Sequence, residues 1–546
     1  MPNQQSPYAP RHARRPADGN RVTHRGSPRL SGSLIRPRRW PRRLLVGANL
    51  AVAVVLIGAG SLYGYVKYKI GSIATLNAPH LEATQKNAPD SVDGLAPENI
   101  LLIGNQTRAG IKPSQIAQFG NPAVLSGSLS DVIMILHVDP AKQTASILSI
   151  PRDLFVPMPQ GSPVGRYQKV DAALNDGAKG PDNLIAAIEN DFGIPINHFV
   201  ELEFDGFENT VNALGGINID FPEKVFDAYS GLNITQTGCL HLNGAQALAL
   251  VRARHLQYDP PGLRAPVYDW PYDPLSDLSR IVRDHTFLRV LVSTAESQGL
   301  TNPVKLNNFL DAVINQIIID PGLKSQLVKL ATHYRHLNPN AIPEYTLPVT
   351  TVNSYYYDGV NIGDVDFPSQ PQDRNVISEW DSSALPAPAK PSVVNIYNIT
   401  NTYGLATKTS QALASLGLPI GVVGNANVPS TTTETLVRYP PGGLAQALAV
   451  ANDINGAVML DPDPSLASGT IDVDIGNVAS VVAPPSSSAG SPASTSAVSS
   501  AAQPASSQSP SGTSVPTPGG ETPSSAHDKL APWDPIPCPA GVSPVN

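Results

Sequence analysis

Cysteine is almost absent from this chain of 546 residues, with Cys239 and Cys538 as the whole supply. Two are too few for a disulfide framework, and neither sits in the paired spacing of a zinc site. One bridge between them stays open. No G-x-S-x-G elbow, Walker loop or H-E-x-x-H pair occurs, so the local signatures of serine hydrolases, P-loop nucleotidases and zinc proteases are missing. His137 lies inside an apolar strand-like run and reads as a core or edge residue. His198, His241, His255 and His285 are scattered, and no histidine metal site emerges.

Lysine is missing from residues 1–43, which carry eleven arginines and a single acid, Asp18. The remaining chain holds 26 basic against 43 acidic residues, near −17, although the net charge is only −7. A basic arm on an acidic body suits a nucleic-acid tail, but the segment that follows argues for a membrane and against nucleic acid. Leu44 to Val66 carries no charge and is long enough to cross a hydrocarbon core as one helix. Arg36, Arg38, Arg39, Arg42 and Arg43 precede it, and only Lys67 and Lys69 follow closely. The larger positive cluster stays in the cytoplasm, so the rest of the chain is expected outside a single-pass anchor in the cell membrane. A cleaved signal peptide is the alternative, but the apolar run is long for one and lacks a small-x-small cleavage site.

The 54 prolines, many of them late in the chain, limit how much of it packs into a core. Residues 67–96 read as a stalk, 97–352 as the main body and 353–391 as a polar, proline-containing linker. Residues 392–478 read as a smaller α/β domain. The Ser/Ala/Pro-rich stretch 479–546 reads as a disordered tail.

Within the body, Asn99 to Gly104 is an apolar run ending in glycine, a buried strand with Gln106 and Arg108 in the loop at its carboxyl end. Asp131 opens VIMILHV, a short turn follows at Asp139 to Lys142, and a second strand runs from Thr144 to Ile150. Two strands so joined make an antiparallel hairpin. Its geometry brings Asp131 beside Arg152 and Asp153. Taken alone, Pro151-Arg152-Asp153 also fits a strand terminator with a surface ion pair.

Asn243 and Gln246 form a capping box for a helix that leads into Val251-Arg252-Ala253-Arg254. Arg252 and Arg254 converge only if the helix ends there, because residues two apart on a helix face opposite ways. A later helix opens near Asp277, with Arg280 and Arg283 three residues apart on one face. Clustered guanidiniums need an anion between them, and a pyrophosphate matches their planar, forked donors. A solvated helix face is the competing account of the same arginines.

Seven blocks in order resemble the catalytic domain of LytR-CpsA-Psr proteins: NILLIGNQTR (99–108), SDVIMILHVDP (130–140), SILSIPRDLFVPMP (146–159), YQKVDAAL (167–174), FDGFENTVNALGGINID (204–220), HLNGAQALALVRARH (241–255) and DLSRIVRDHTFLR (277–289). Residues 392–478 are similar to the C-terminal domain often fused to these enzymes. The resemblance implies an α/β fold: a mixed central β-sheet flanked by helices as an αβα sandwich, a smaller C-terminal α/β domain and the N-terminal transmembrane helix.

It also implies a phosphotransferase that moves a glycopolymer from a polyprenyl pyrophosphate carrier onto peptidoglycan and releases polyprenyl phosphate. Carried over by position, the pyrophosphate binders are Arg152, Arg252, Arg254 and Arg280, with Arg108, Lys169 and Arg283 as helpers. Asp277 would orient an arginine or act as base. Asp131 would hold magnesium with Gln106, which stands where most members have an aspartate and adds no charge. A non-catalytic binder of lipid-linked glycan and a pyrophosphatase remain as alternatives.

Overall fold

The computed structural model describes residues 63–83, 91–105, 130–297, 303–426, 434–482 and 530–545. The basic arm and most of the expected transmembrane segment lie outside them, although Tyr63 to Gly71 is helical. Among the described residues no helix is long and apolar enough to cross a membrane.

The body is built on a seven-stranded mixed sheet. Its strands are β1 (Ala74–Thr75), β2 (Glu98–Asn105), β3 (Ser130–Asp139), β4 (Thr144–Ser149), β5 (His198–Glu203), β6 (Ile317–Ile319) and β7 (Glu344–Thr346). They lie in the order β1-β6-β5-β2-β3-β4-β7. The expected hairpin is present: β3 and β4 pair antiparallel, with Met134 opposite Ser149. Strand β2 is antiparallel to β3 and therefore runs the same way as β4. Its end at Asn105 reaches the start of β3, where Asp131 sits.

Side chains that alternate along each strand feed two cores. Leu101, Ile103, Ile133 and Ile135 face helices α1 (Gly180–Phe192) and, later in the chain, Gln372–Trp380. Ile100 and Val138 face the other way, toward Ile314, Leu323 and Leu330. Leu101, Ile135 and Leu148 are wholly enclosed, each worth about 1.5–3 kcal/mol relative to exposure. A third apolar cluster joins α2 (Phe204–Ala213), α3 (Gly244–Val251) and α4 (Asp277–Ser297) beneath the antiparallel pair Ile217–Phe221 and Gly238–Leu242.

Several boundaries differ from those expected. The stretch read as a stalk, 67–96, is part of the body where it is described, since β1 edges the central sheet and Ile73, Ala78 and Leu95 are buried. The stretch read as a linker, 353–391, holds most of a hairpin, β8 (Val349–Tyr357) and β9 (Val360–Gln370), and the helix α5 (Gln372–Trp380). Its polar composition hides an alternation that only packing reveals: Val365, Phe367, Ile377 and Trp380 are buried.

That hairpin joins the C-terminal domain into one sheet. Strands β10 (Val393–Asn398), β11 (Ile420–Asn425), β12 (Thr435–Tyr439), β13 (Ile454–Pro462) and β14 (Thr470–Ile475) continue it in the order β8-β9-β13-β12-β14-β10-β11. A last strand, β15 (Ala479–Val481), pairs with β13 inside the region read as tail.

The rest of that tail is also not wholly free. Residues 530–545 return to the body: Ile536–Pro537 pairs with Ile217–Phe221, and Cys538 forms a disulfide with Cys239 across 299 residues. The bridge left open by the sequence is made. The residues between 482 and 530 lie outside the description.

Candidate functional site

The loops at one end of β3 and β4 carry the charge. Asp131 pairs with Arg152, as the hairpin register requires. Arg152 also lies 3.5 Å from Asp153 and 3.6 Å from Asp171. Asp153 in turn accepts from Lys169 Nζ at 2.9 Å and from Arg254 Nη2 at 3.0 Å. Arg254 Nε lies 2.8 Å from Asp277 Oδ1, and Arg280 Nη2 lies 3.3 Å from Asp277 Oδ2. Arg280 closes the ring with Nη1 3.9 Å from Asp131 and Nε 3.9 Å from Asp284.

Local structure explains how each group arrives. The capping box at Asn243 and Gln246 starts α3, and the helix ends at Val251 with half-buried Arg252 as its C-cap. The chain then turns and bends through 252–255, and Arg254 meets Asp153. Ser276 Oγ donates to the Arg254 carbonyl at 2.8 Å, tying this loop to the start of α4. Asp277 lies in the first turn of α4, where a carboxylate is favoured by the helix dipole.

Burial lowers the proton affinity of the Arg152 guanidinium, but Asp131, Asp171 and Asp153 together hold it well above its ordinary value. Burial pushes Asp153 up, and Arg152, Lys169 and Arg254 overcome it, so its carboxyl stays below the usual range. Asp171 and Asp284 behave oppositely: burial pushes them to about 7 and about 8, against Arg152 and Arg280 respectively. Near neutral pH Asp284 is thus held mostly neutral and Asp171 about half so, which reduces the negative charge facing the cations.

Arg280 is only 2% exposed, and its Nε and Nη1 have no hydrogen-bond partner among the described residues. A buried guanidinium with two idle donors is costly unless something accepts from them. The arrangement can grip a multiply charged anion.

The structure brings together Asp131, Arg152, Lys169, Arg254, Asp277 and Arg280. It sends Arg283 elsewhere, although it sits one turn from Arg280. Fully enclosed, Arg283 donates to Asp273 at 2.9 Å, Asp534 at 3.1 Å and the Ala253 carbonyl at 2.7 Å, which leaves it no exposed surface for a ligand. Gln106 and Arg108 lie outside the described residues. Among the described residues no group of three or more acids, histidines or cysteines suits a metal ion, and Asp131 Oδ1 is already engaged by Arg152.

Sequence reasoning missed Asp171, Asp284 and Asp366. Asp171 lies two residues past Lys169, and Asp284 lies one helical turn past Arg280, so both had a local signal. Asp366 had none, because β9 reaches the site only through tertiary pairing. Its backbone N–H donates to the Asp153 carbonyl at 2.9 Å, and burial raises its carboxyl to about 6 despite a hydrogen bond from Thr351. Of the aromatic residues between Arg254 and Asp277, Tyr258 is stacked on Trp533 at 3.9 Å, while Tyr268 and Tyr272 are exposed.

A family model described as the LytR_cpsA_psr family matches residues 65–367, and one described as LytR cell envelope-related transcriptional attenuator matches 392–478. The probable cell wall biosynthesis protein LcpB of Corynebacterium glutamicum is 30% identical over 58% of this chain and 67% of its own length. LcpA of the same organism, a cell wall biosynthesis protein, is 26% identical over 66% of this chain and 72% of its own. TagV of Bacillus subtilis, a polyisoprenyl-teichoic acid–peptidoglycan teichoic acid transferase, is 28% identical over 58% of this chain and 75% of its own. Among solved structures, a LytR-Csp2A-Psr enzyme from Actinomyces oris superposes with a TM-score of 0.40 at 24% identity, covering 56% of this chain and 96% of that one.

Proposed function

The chain belongs to the LytR-CpsA-Psr family, and on that premise we propose that it is a cell-wall transferase that joins a lipid-linked glycopolymer to peptidoglycan. The observation that carries this reading is the buried Arg280, with two nitrogens that face carboxylates at 3.9 Å but make no hydrogen bond, in one charge network with Arg152, Arg254 and Lys169. In the proposed step an acceptor hydroxyl oxygen of peptidoglycan attacks the glycan-side phosphorus of a polyprenyl pyrophosphate. A phosphorus–oxygen bond forms, the bridging bond breaks, and polyprenyl phosphate leaves with the electron pair. Arg152, Arg254 and Arg280, with Lys169, stabilise the charge that builds on that leaving phosphate.

Asp277 is best placed to orient Arg254 and Arg280, since one oxygen faces each. Taking the acceptor proton is a second role proposed for it. Arg252 and Arg108 are proposed as further anion contacts on the strength of the sequence blocks that hold them. The described residues do not form a metal site by themselves. Magnesium is proposed to come with the pyrophosphate, held by Asp131 and Gln106, and to supply charge neutralisation there.

Residues 44–66 are proposed as the membrane anchor, with the arm before it cytoplasmic and the site outside, close to a donor that stays in the bilayer. Arabinogalactan is proposed as the polymer on the resemblance to actinobacterial members of the family, since the sequence does not itself name one. The test gives the full chain a polyprenyl-pyrophosphoryl glycan and peptidoglycan. Glycan covalently joined to peptidoglycan is expected; free phosphorylated glycan would identify a pyrophosphatase, and tight binding without turnover would identify a non-catalytic binder.

A further inference from the structure

A second site lies in the C-terminal domain, at the carboxyl ends of two neighbouring parallel strands. Strands β10 and β11 are parallel, and their last residues, Asn398 and Asn425, edge a hollow of about 710 Å³. That size suits a small ligand, and the carboxyl edge of parallel strands is where open α/β sheets bind theirs. The helix α6 (Leu405–Ser415) opens onto the same hollow.

The loop between β10 and α6 is prebuilt. Asn398 is buried, accepts from the backbone N–H and hydroxyl of Thr400 at 2.9 and 2.8 Å, and donates to the Thr402 carbonyl at 2.9 Å. These bonds commit Asn398, which heads an Asn-Ile-Thr sequon, to holding the loop. What the loop and its neighbours present is then uncommitted. Asn401, Tyr403, Lys408, Gln411 and Asn425 are exposed, and none has a side-chain hydrogen bond or ion pair among the described residues. Tyr403 stands fully in solvent.

The chemistry of this lining differs from that of the arginine cluster. It contains no carboxylate, no arginine and one lysine, so a polyphosphate finds little to neutralise it. Amide side chains offer donors and acceptors together, as sugar hydroxyls do. An exposed phenol ring presents an apolar face to a pyranose and a hydroxyl to its edge. Lys408 and the start of α6 favour at most one negative group on the ligand.

We propose that this hollow is a carbohydrate-binding site for an oligosaccharide of neutral or singly anionic sugars, held by stacking on Tyr403 and by the amides of Asn401, Gln411 and Asn425. The lining shares no residue with those proposed for transfer, so this site can hold whether or not that reaction does.

The experiment titrates the full chain in detergent with three phosphate-free probes: an N-acetylglucosamine tetramer, the same tetramer bearing lactyl carboxylates, and an arabinose–galactose oligosaccharide. A free stem pentapeptide and inorganic pyrophosphate serve as comparators. Saturable binding of at least one glycan is expected, weakened about ten-fold or more by Tyr403→Ala, retained by Tyr403→Phe and unchanged by Arg254→Ala. Because Tyr403 buries nothing, its alanine variant should melt with the parent chain. Absence of glycan binding, equal affinity in Tyr403→Ala, loss of binding in Arg254→Ala, or preference for the pentapeptide would each overturn the proposal.

Discussion

Arg283 and Asp534 meet at 3.1 Å across 251 residues, and both are enclosed by protein. The pair fixes the returning C-terminal segment to the helix that carries Asp277 and Arg280. It also reaches the site indirectly, because Arg283 donates to the Ala253 carbonyl, next to Arg254.

Removing Asp534 leaves Arg283 with Asp273 as its remaining carboxylate. Asp534→Ala should therefore destabilise the fold by about 1–3 kcal/mol, less than the full loss of a buried pair. Thermal unfolding of the two chains measures this directly. An unchanged melting temperature would mean that the Arg283–Asp534 pair adds nothing to stability.

The Cys239–Cys538 bridge closes a very long stretch of chain, and such a crosslink chiefly restricts the unfolded state. Its reduction should cost about 2–5 kcal/mol. Urea unfolding with and without reductant should show the difference in the parent chain and none in Cys239→Ser.

Arg254 meets Asp153 on one side and Asp277 on the other. Arg254→Ala should lower transfer by a factor of about 100 or more, the scale seen when one charge-stabilising donor is removed. Arg254→Lys should recover little, because one ammonium cannot span both acids with planar geometry. Activity equal to the parent in Arg254→Ala would remove this residue from the site.

Asp171 and Asp284 have carboxyls raised to about 7 and about 8 by burial. The folded state therefore holds protons that the unfolded chain loses near pH 4. Stability from this source is complete below the unfolded value and is lost as pH rises through about 7 and 8. The charge gained over that window also opposes an anion in the site. Pyrophosphate affinity should fall between pH 6 and 9, and Asp284→Asn should flatten both curves. Calorimetric titration at three pH values would expose a contrary slope.

If magnesium is held as proposed, Gln106 would offer it a carbonyl where a carboxylate would add charge. Gln106→Asp should lower the magnesium concentration needed for half-saturation, read as metal binding by calorimetry in the presence of inorganic pyrophosphate as well as by turnover. Equal metal affinity in the two chains would separate this position from the metal.

Much of the site was legible because its parts are local. The turn between two apolar runs dictates the hairpin, and the hairpin register alone brings Asp131 to Arg152. The capping box and the end of α3 at Val251 place Arg254 in the bend that follows the helix, beside Asp153 and Asp277. The i, i+3 step from Arg280 to Arg283 was read correctly as a shared helix but not as a shared destination. Helical spacing sets a direction to within a turn. Whether a guanidinium then meets an idle anion site or a buried aspartate depends on what the rest of the chain brings there.

By itself the sequence determined β2, β3 and β4, the two ends of α3, the start of α4 and the order of the charged blocks, because hydrophobic periodicity and capping act over a few residues. Tertiary structure alone decided that 353–391 becomes a hairpin and helix, that Asp366 reaches Asp153, and that residues near 538 return to Cys239. Those contacts join segments with no shared local pattern. Their free energy comes from burial and pairing that exist only once the distant partner has arrived, so no window of the sequence contains them.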